Sequence, residues 1–166
     1  AELAHAFGME VNAFDPYVSI EQAAELDCLM HDDVDGLFRA CTHISVHCNL
    51  SEDTHHLVNR ERLAMMPDIG VDGTACGSHI VNCARGGIVD ESAVLDALDS
   101  GILSSAALDV FEVEPAIGNL LLQHERFHGS PHIGAATLEA QTRVGTEMAG
   151  LLVAFFNGER PKSAIN

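Results

Sequence analysis

Short apolar runs alternate along this chain with amphipathic helical patterns, and most connections between them are short. Runs typical of strands occupy residues 9–14, 44–48, 79–83 and 104–110. Helical patterns occupy residues 20–26, 33–40, 59–66 and 90–100, and a longer one follows residue 137. Strands that alternate with helices assemble into a parallel sheet covered by helices on both faces. The sequence therefore predicts a doubly wound α/β fold.

Capping residues mark several ends of the predicted helices. Asp32 or Asp33 is placed to cap one helix, and Asp90 to accept hydrogen bonds from the first-turn amides of another. Thr137 is placed to cap the last helix, whose apolar pattern continues to Gly158. Residues 67–77 contain three glycines and have no clear period, so we expect a surface loop or an insertion there.

Charge and hydropathy exclude some classes of function. The 166 residues include 25 acidic and 8 basic side chains, giving a net charge of −17, and the only lysine is Lys162. No basic cluster can neutralise phosphates, so we expect no nucleic-acid partner. The longest nearly unbroken apolar run, residues 148–156, is short beside the roughly 20 residues of a membrane span, so we expect no membrane partner. A salt-adapted host and a merely acidic protein both remain open as explanations of the charge.

The cysteines and histidines indicate neither disulfides nor a metal. The five cysteines are irregularly spaced and form no C-x-x-C pair, which favours free thiols in a reducing cytoplasm. His43, His47 and Cys48 are close in sequence, but on a strand the two histidines face one side and Cys48 the other. Structural zinc sites need closely paired ligands. We therefore expect a cytoplasmic protein without a metal site.

An acidic residue, Asp15, ends the first predicted strand. In nucleotide-binding α/β folds such a residue hydrogen-bonds the ribose of NAD, about 20 residues beyond a glycine-rich phosphate loop. The chain has no G-x-G-x-x-G motif, and a loop at that distance would precede Ala1. We interpret the chain as a fragment without the first strand and phosphate loop. An aspartate that only forms a turn is the simpler alternative.

Three polar motifs follow predicted strand ends or precede a helix, where ligands collect in such sheets. They are N-C-A-R-G-G-I-V-D-E at 82–91, L-D-V-F-E-V-E-P at 108–115 and P-H-I-G-A at 131–135. Reduction of a 2-keto acid needs a cation for the carboxylate, a proton donor for the carbonyl and a carboxylate beside that donor. Arg85, His132 and Glu114 fit these three roles. Taken singly, each could instead be a surface ion-pair or capping residue.

These motifs, with A-F-G-M at 6–9, D-P-Y at 15–17 and N-G-E-R-P at 157–161, resemble the NAD-dependent D-2-hydroxyacid dehydrogenases. The resemblance covers nearly the whole chain. It implies that residues 1–136 form a partial, Rossmann-type NAD-binding domain lacking its first strand and glycine-rich loop. It further implies that residues 137–166 form a crossover helix and begin the return to a substrate-binding domain. A homodimer formed through the nucleotide-binding domain is also implied.

The resemblance assigns roles residue by residue. Arg85 would bind the substrate carboxylate, His132 would be the acid/base and Glu114 its partner. The residues that would line the NAD site are Asp15, Pro16, His47, Cys48, Cys83, Ala84, Arg85, Asp109, His132 and Gly134. The implied substrate is a small D-2-hydroxy acid, with 3-phosphoglycerate and 3-phosphohydroxypyruvate of serine biosynthesis favoured. Glyoxylate, hydroxypyruvate or D-lactate-type substrates, and an NAD-sensing module without turnover, remain open.

The sequence departs from the family pattern in three places. The phosphate loop is absent, and we expect this chain alone to bind NADH poorly because the pyrophosphate contacts are missing. Asn49 stands where the family usually has proline after His-Cys. Residues 67–77 are about eight residues longer than the short turn that the family pattern implies before the N-C-A-R-G-G strand.

Overall fold

The computed structural model describes residues 1–161; residues 162–166, the end of the predicted return segment, lie outside the described residues. Its helices are α1 (Glu2–Ala6), α2 (Ile20–Ala24), α3 (Val34–Ala40), α4 (Arg60–Leu63), α5 (Glu91–Ser100) and α6 (Leu138–Phe156), with a 3-10 helix at Leu120–Gln123. Its strands are β1 (Asn12–Ala13), β2 (Leu29–Met30), β3 (His43–Val46), β4 (His79–Asn82), β5 (Ser105–Leu108) and β6 (Phe127–Gly129). Strands and helices alternate as the sequence predicts.

All the paired strands are parallel, but they form two sheets rather than one. β1 pairs with β2, and the other strands form a four-stranded sheet in the order β3-β4-β5-β6. In a doubly wound fold the strand order reverses direction once, so its two halves wind away from a shared centre. The two sheets correspond to these two halves.

One face of the four-stranded sheet is buried, and the other face is partly exposed in this chain. Ile44 and Val46 on β3 are buried, whereas Ser45 between them is exposed, and Val81 on β4 is 39% exposed. Strands added in sequence order through right-handed crossovers place every connecting helix on the same side. The connections from β3 to β6 therefore cover one face only.

Side-chain caps fix the helix starts. Asp33 accepts from the Gly36 amide and so is the cap of α3, while Asp90 accepts from the Ser92 and Ala93 amides at the start of α5. Thr137 caps α6 through the Ala140 amide, as the sequence predicts. Each cap satisfies an amide that has no partner within the helix.

Several strands are shorter than their apolar runs, and the sequence pattern does not predict two of the short strands. The run at residues 9–14 gives only the two paired residues of β1, because β2 offers just two residues to pair with. β2 and β6 were not predicted, since two or three residues carry too little periodicity to be recognised. Residues 67–77 form a hairpin-like excursion closed by an antiparallel bridge between Ile69 and Ala75.

The core lies between the four-stranded sheet and the helices on its covered face. Four residues of α5 project into it at a helical spacing, and the buried strand residues meet them. The largest fully buried side chains are Phe38, Leu63, Ile80, Ile88, Leu98, Leu103, Leu108, Leu121, Val58, Val89, Val94 and Val110. Fully burying a side chain of this kind stabilises a fold by roughly 1.5–3 kcal/mol. By contrast α6 has no buried residue and projects from this core.

The core brings the turn after β4 directly against the segment after β5. A Cβ placed on Gly86 would lie 1.8 Å from the carbonyl oxygen of Phe111, a distance that no carbon atom tolerates. The requirement for glycine at this position is one of space and not of backbone conformation. The loop that carries Arg85 and the loop that carries Glu114 therefore lie back to back.

We predict that Gly86→Ala lowers the free energy of unfolding by roughly 1–3 kcal/mol, since the added methyl must displace backbone atoms of Phe111. The matched control is Gly145→Ala on α6, where a Cβ meets nothing within 4 Å. There the same change should be neutral or stabilise by up to about 1 kcal/mol, because alanine is the better helix former. Urea unfolding of both variants checks this; equal stabilities would contradict the close approach.

Candidate active site

The polar residues singled out by the sequence lie at the carboxyl ends of the parallel strands. Cys83, Ala84 and Arg85 follow β4, Asp109 follows β5, and His132 follows β6. Strands that run parallel end at one edge of the sheet, so these residues gather there. Pairing of β4 with β5 and of β5 with β6 fixes their order along that edge.

Glu114 and His132 form a hydrogen-bonded pair at this edge. The Oε2 atom of Glu114 lies 2.7 Å from Nδ1 of His132, and its Oε1 atom accepts from the Phe111 amide at 3.0 Å. The hydrogen bond to His132, followed by that from the Phe111 amide, lowers the pKa of Glu114 below its usual value. Glu114 is therefore ionised at neutral pH, and Nε2 is the ring nitrogen left to face a ligand.

The buried carboxylate of Asp109 holds the loop that carries His132. Its Oδ1 atom accepts from the Ser130 hydroxyl at 2.5 Å and the Ile133 amide at 2.9 Å, and Oδ2 accepts from the Gly134 amide at 2.7 Å. The backbone carbonyl of Asp109 also accepts from the His132 amide at 2.8 Å. His132 itself has a φ of 54°, a left-handed conformation that side chains other than glycine rarely adopt.

Asp109 is only 4% exposed, yet it remains ionised. Burial alone disfavours the charged form, but the hydrogen bonds from Ser130, Ile133 and Gly134 outweigh it and leave the pKa of Asp109 below its usual value. A Cβ on Gly134 would lie 2.9 Å from Oδ2, so glycine is needed for the approach of the loop. The carboxylate thus acts as the anchor of residues 130–134.

Asn82 shapes the turn that presents Arg85. Its side chain is 1% exposed; its Nδ2 donates to the Arg85 carbonyl and its Oδ1 accepts from the Ala84 amide, each at 2.9 Å. The exposed guanidinium of Arg85 donates to the Ala84 carbonyl at 2.6 Å. No ion pair engages Arg85 within residues 1–161, so its charge is available to an anionic ligand.

The remaining predicted cofactor residues lie at other strand ends. Asp15 follows β1, and its Oδ1 atom accepts a hydrogen bond from the Tyr17 amide at 2.8 Å. This oxygen therefore forms a turn, as the simpler interpretation predicts. The exposed carboxylate still offers acceptors of the kind that ribose hydroxyls need, with Pro16 next to it. The Nε2 atom of His47 lies in hydrogen-bond contact with the Ser45 hydroxyl, at 2.8 Å. Burial raises the pKa of the Cys48 thiol, so this thiol is uncharged at neutral pH.

One cavity adjoins the Glu114–His132 pair, and a second cavity shares Gly129 and Ser130 with it. One of about 650 Å³ is lined mostly by apolar groups and reaches both Glu114 and His132. The other, of about 200 Å³, reaches Cys83 and Asp109. The structure therefore places Glu114 and His132 at one cavity and Cys83 and Asp109 at the adjoining one.

Three groups that hold this site in place have no role in the sequence predictions: Asn82, Ser130 and the Phe111 amide. Asn82 had a usable signal, because a polar residue at a buried strand position needs hydrogen-bond partners nearby. Ser130 and the Phe111 amide had none, since their roles depend on tertiary contacts. Within residues 1–161 no three His, Cys, Asp or Glu side chains lie close enough together to hold a metal ion. Over the same residues, no helix has the length and apolar character needed to cross a bilayer.

Comparison with known proteins gives the family. The family described as "D-isomer specific 2-hydroxyacid dehydrogenase, NAD binding domain" matches residues 1–134. The chain is 39% identical over 166 residues to D-3-phosphoglycerate dehydrogenase of Bacillus subtilis, all of this chain but 30% of that protein. It is 43% identical over 152 residues to hydroxypyruvate reductase of Thermotoga maritima, 89% of this chain and 45% of that protein.

Solved structures agree. D-lactate dehydrogenase from Aquifex aeolicus, complexed with NAD and lactic acid, superposes with a TM-score of 0.78 at 29% identity, covering 95% of this chain and 49% of that one. A D-lactate dehydrogenase from Treponema pallidum gives 0.81 at 31% identity, covering 99% and 50%. The chain thus spans half or less of these relatives' length. It belongs to the D-isomer specific 2-hydroxyacid dehydrogenases, enzymes that use NAD, and matches their NAD-binding domain.

Proposed function

We propose that the protein containing this chain transfers a hydride between NAD and a small D-2-hydroxy acid. The observation that carries the proposal is the Glu114–His132 hydrogen bond of 2.7 Å at the sheet edge where Arg85 is exposed. Arg85 supplies a bidentate cation for a carboxylate, and His132 supplies a proton donor for a carbonyl oxygen. Family membership supports assigning both roles to one reaction.

The chain's own residues account for the polar part of that reaction. Arg85 holds the carboxylate of the substrate, and Nε2 of His132 faces its C2 oxygen. When the keto acid is reduced, His132 gives its proton to that oxygen; when the hydroxy acid is oxidised, it takes the proton back. Ionised Glu114 fixes the orientation of the ring through Nδ1. NAD, when bound, supplies or accepts the hydride at C2.

The residues that would hold NAD are those at the strand ends. Asp15, beside Pro16, would accept from the adenosine ribose, His47 and Cys48 would lie along the adenine side, and the 83–85 backbone would approach the nicotinamide. Asp109 and Gly134 line the same edge of the sheet as Cys83. The phosphate loop of the family is not among the 166 residues, so we propose that tight binding of NADH needs sequence outside them.

The substrate pair we propose is 3-phosphoglycerate and 3-phosphohydroxypyruvate, which would place the protein in serine biosynthesis. Support comes from the 39% identity to D-3-phosphoglycerate dehydrogenases of Bacillus subtilis and Methanocaldococcus jannaschii. Hydroxypyruvate is the second candidate, because the match to hydroxypyruvate reductase reaches 43%. Residues that would contact a substrate phosphate belong to the substrate-binding domain.

Location and assembly complete the proposal. Five unpaired cysteines support a cytoplasmic location. A homodimer formed through the nucleotide-binding domain is supported by apolar side chains left exposed by this chain, among them Ile117 at 89% and Leu120 at 62%.

The direct test is NADH oxidation by the full-length protein with phosphohydroxypyruvate, hydroxypyruvate, glyoxylate, pyruvate and 2-ketoglutarate. We expect the highest kcat/KM with phosphohydroxypyruvate.

His132→Ala should lower kcat by about 10²–10⁴-fold, because the positioned proton donor is lost. The matched control is His55→Ala, an exposed histidine outside the site, which should leave kcat unchanged.

A different favourite in this panel would replace the proposed substrate and keep the reaction class. Turnover retained by His132→Ala would remove His132 as the proton donor. NADH binding by the wild-type protein without turnover on any keto acid would contradict the enzyme and favour an NAD-sensing module of the same fold.

The two directions of the reaction should respond oppositely to pH. Reduction needs His132 to donate a proton, so its rate should fall as pH rises, whereas oxidation needs His132 to accept a proton, so its rate should rise. Glu114 stays ionised over this range because its pKa is lowered, so it adds no second inflection near neutrality. Initial rates in both directions between pH 5 and 10 check this. Parallel profiles would contradict proton transfer by His132.

A further inference from the structure

A second histidine, His56, contacts both the loop that carries Arg85 and the loop that carries Glu114. Its backbone has a φ of 50°, and its amide donates to the Gly87 carbonyl at 2.8 Å. Val58, two residues later, forms a parallel bridge with Val89. The segment that carries His56 therefore runs alongside the turn that presents Arg85.

The imidazole of His56 reaches the other loop. Its Nε2 atom lies 3.0 Å from Oε1 of Glu112, two residues before Glu114, and its Nδ1 atom lies 3.9 Å from Oδ2 of Asp90. Both His56 and Glu112 are about one third exposed, at 35% and 37%. One residue thus bonds the Arg85 turn through its backbone and the Glu114 loop through its side chain.

Further bonds make Glu112 a junction between these loops. The Glu112 amide donates to Oε1 of Glu91 at 2.6 Å, and Oε2 of Glu91 accepts from Asn119 at 2.5 Å. Asp90 and Glu91 begin α5, directly after the Arg85 turn. Of the three acidic side chains here, the carboxylate of Glu112 is the one that the ring of His56 hydrogen-bonds, whereas those of Asp90 and Glu91 accept from other donors.

The backbone conformation at His56 is unfavourable for a residue with a side chain. A side chain at positive φ strains the backbone, and glycine would relieve that strain. His55, next to it, stacks on His56 with ring centroids 4.0 Å apart, but its ring makes no hydrogen bond within the described part of the chain. What distinguishes His56 is its contact with Glu112.

We propose that His56 is a positioning residue of the active site: its hydrogen bond to Glu112 fixes the Glu114 loop relative to the Arg85 turn. The inference rests on the proposed dehydrogenase function, since it concerns how Glu114 and Arg85 are aligned for one substrate. His56 does not touch the reacting atoms and acts through Glu112. Its loss therefore affects the alignment of the carboxylate-binding and proton-donating groups while leaving the ribose-binding end of β1 untouched.

The test compares His56→Ala, His56→Gln and the control His55→Ala in the full-length protein. His56→Ala should lower kcat by roughly 10–100-fold, as displacement of positioned groups does, and leave the KM for NADH unchanged. His56→Gln keeps a donor near Nε2 and the same backbone strain, so it should recover most of the rate. Glu112→Ala should reproduce His56→Ala, and the double variant should lose no more than either single one.

Unchanged kcat in His56→Ala, or equal losses in His56→Ala and His56→Gln, would overturn the proposal. A parallel rise in the KM for NADH would also overturn it, because that result would place the effect of His56 on cofactor binding and not on the alignment of Arg85 and Glu114. Hydrogen exchange of the amides at residues 111–114 supplies a readout that needs no activity. Exchange should accelerate in His56→Ala and not in His55→Ala. Unchanged exchange in His56→Ala would contradict the positioning role of His56, whether or not the wild type turns over substrate. Absence of turnover in the wild type would instead contradict the dehydrogenase function.

Discussion

The buried carboxylate of Asp109 is the interaction on which the site depends. It lies at the end of β5 and gathers the loop after β6 by accepting from Ser130, Ile133 and Gly134. A buried charge is tolerated in a protein interior only when such donors compensate it. The same bonds hold His132 at a positive φ beside Glu114, so the strain at the histidine is balanced by the anchoring of its neighbours.

Buried contacts also hold the turn that carries Arg85. Buried Asn82 closes the turn that exposes Arg85, and Gly86 allows that turn to touch the backbone of Phe111. The Phe111 amide in turn donates to Glu114. A continuous set of short contacts thus runs from the Arg85 turn to the His132 partner, and parallel strand pairing sets the distances between them. These contacts fix the Arg85 turn and the Glu114 carboxylate relative to each other.

The sequence predicts this architecture well where its signals are local. Strand and helix alternation, the caps Asp90 and Thr137, and the motifs around Arg85, Glu114 and His132 all depend on residues close together in the chain. The separation into two sheets and the single covered face depend on strand order, which periodicity does not encode. The roles of Ser130 and His56 depend on contacts across 21 and 56 positions, to Asp109 and Glu112, so no local pattern reveals them.

Asp109 holds His132 against Glu114 through its bonds to residues 130–134, and the titration of the Glu114 carboxyl provides a direct test of this arrangement. Carbon-13 NMR of that carboxyl in the wild type and in Asp109→Asn separates two effects of opposite sign. The charge of Asp109 alone raises the pKa of Glu114, so removing only that charge would lower it further. If the anchor is lost, His132 leaves Glu114 and the pKa of Glu114 rises toward its usual value. We expect the pKa of Glu114 to rise in Asp109→Asn. An unchanged or lower pKa of Glu114 would contradict the role of Asp109 as the anchor of His132.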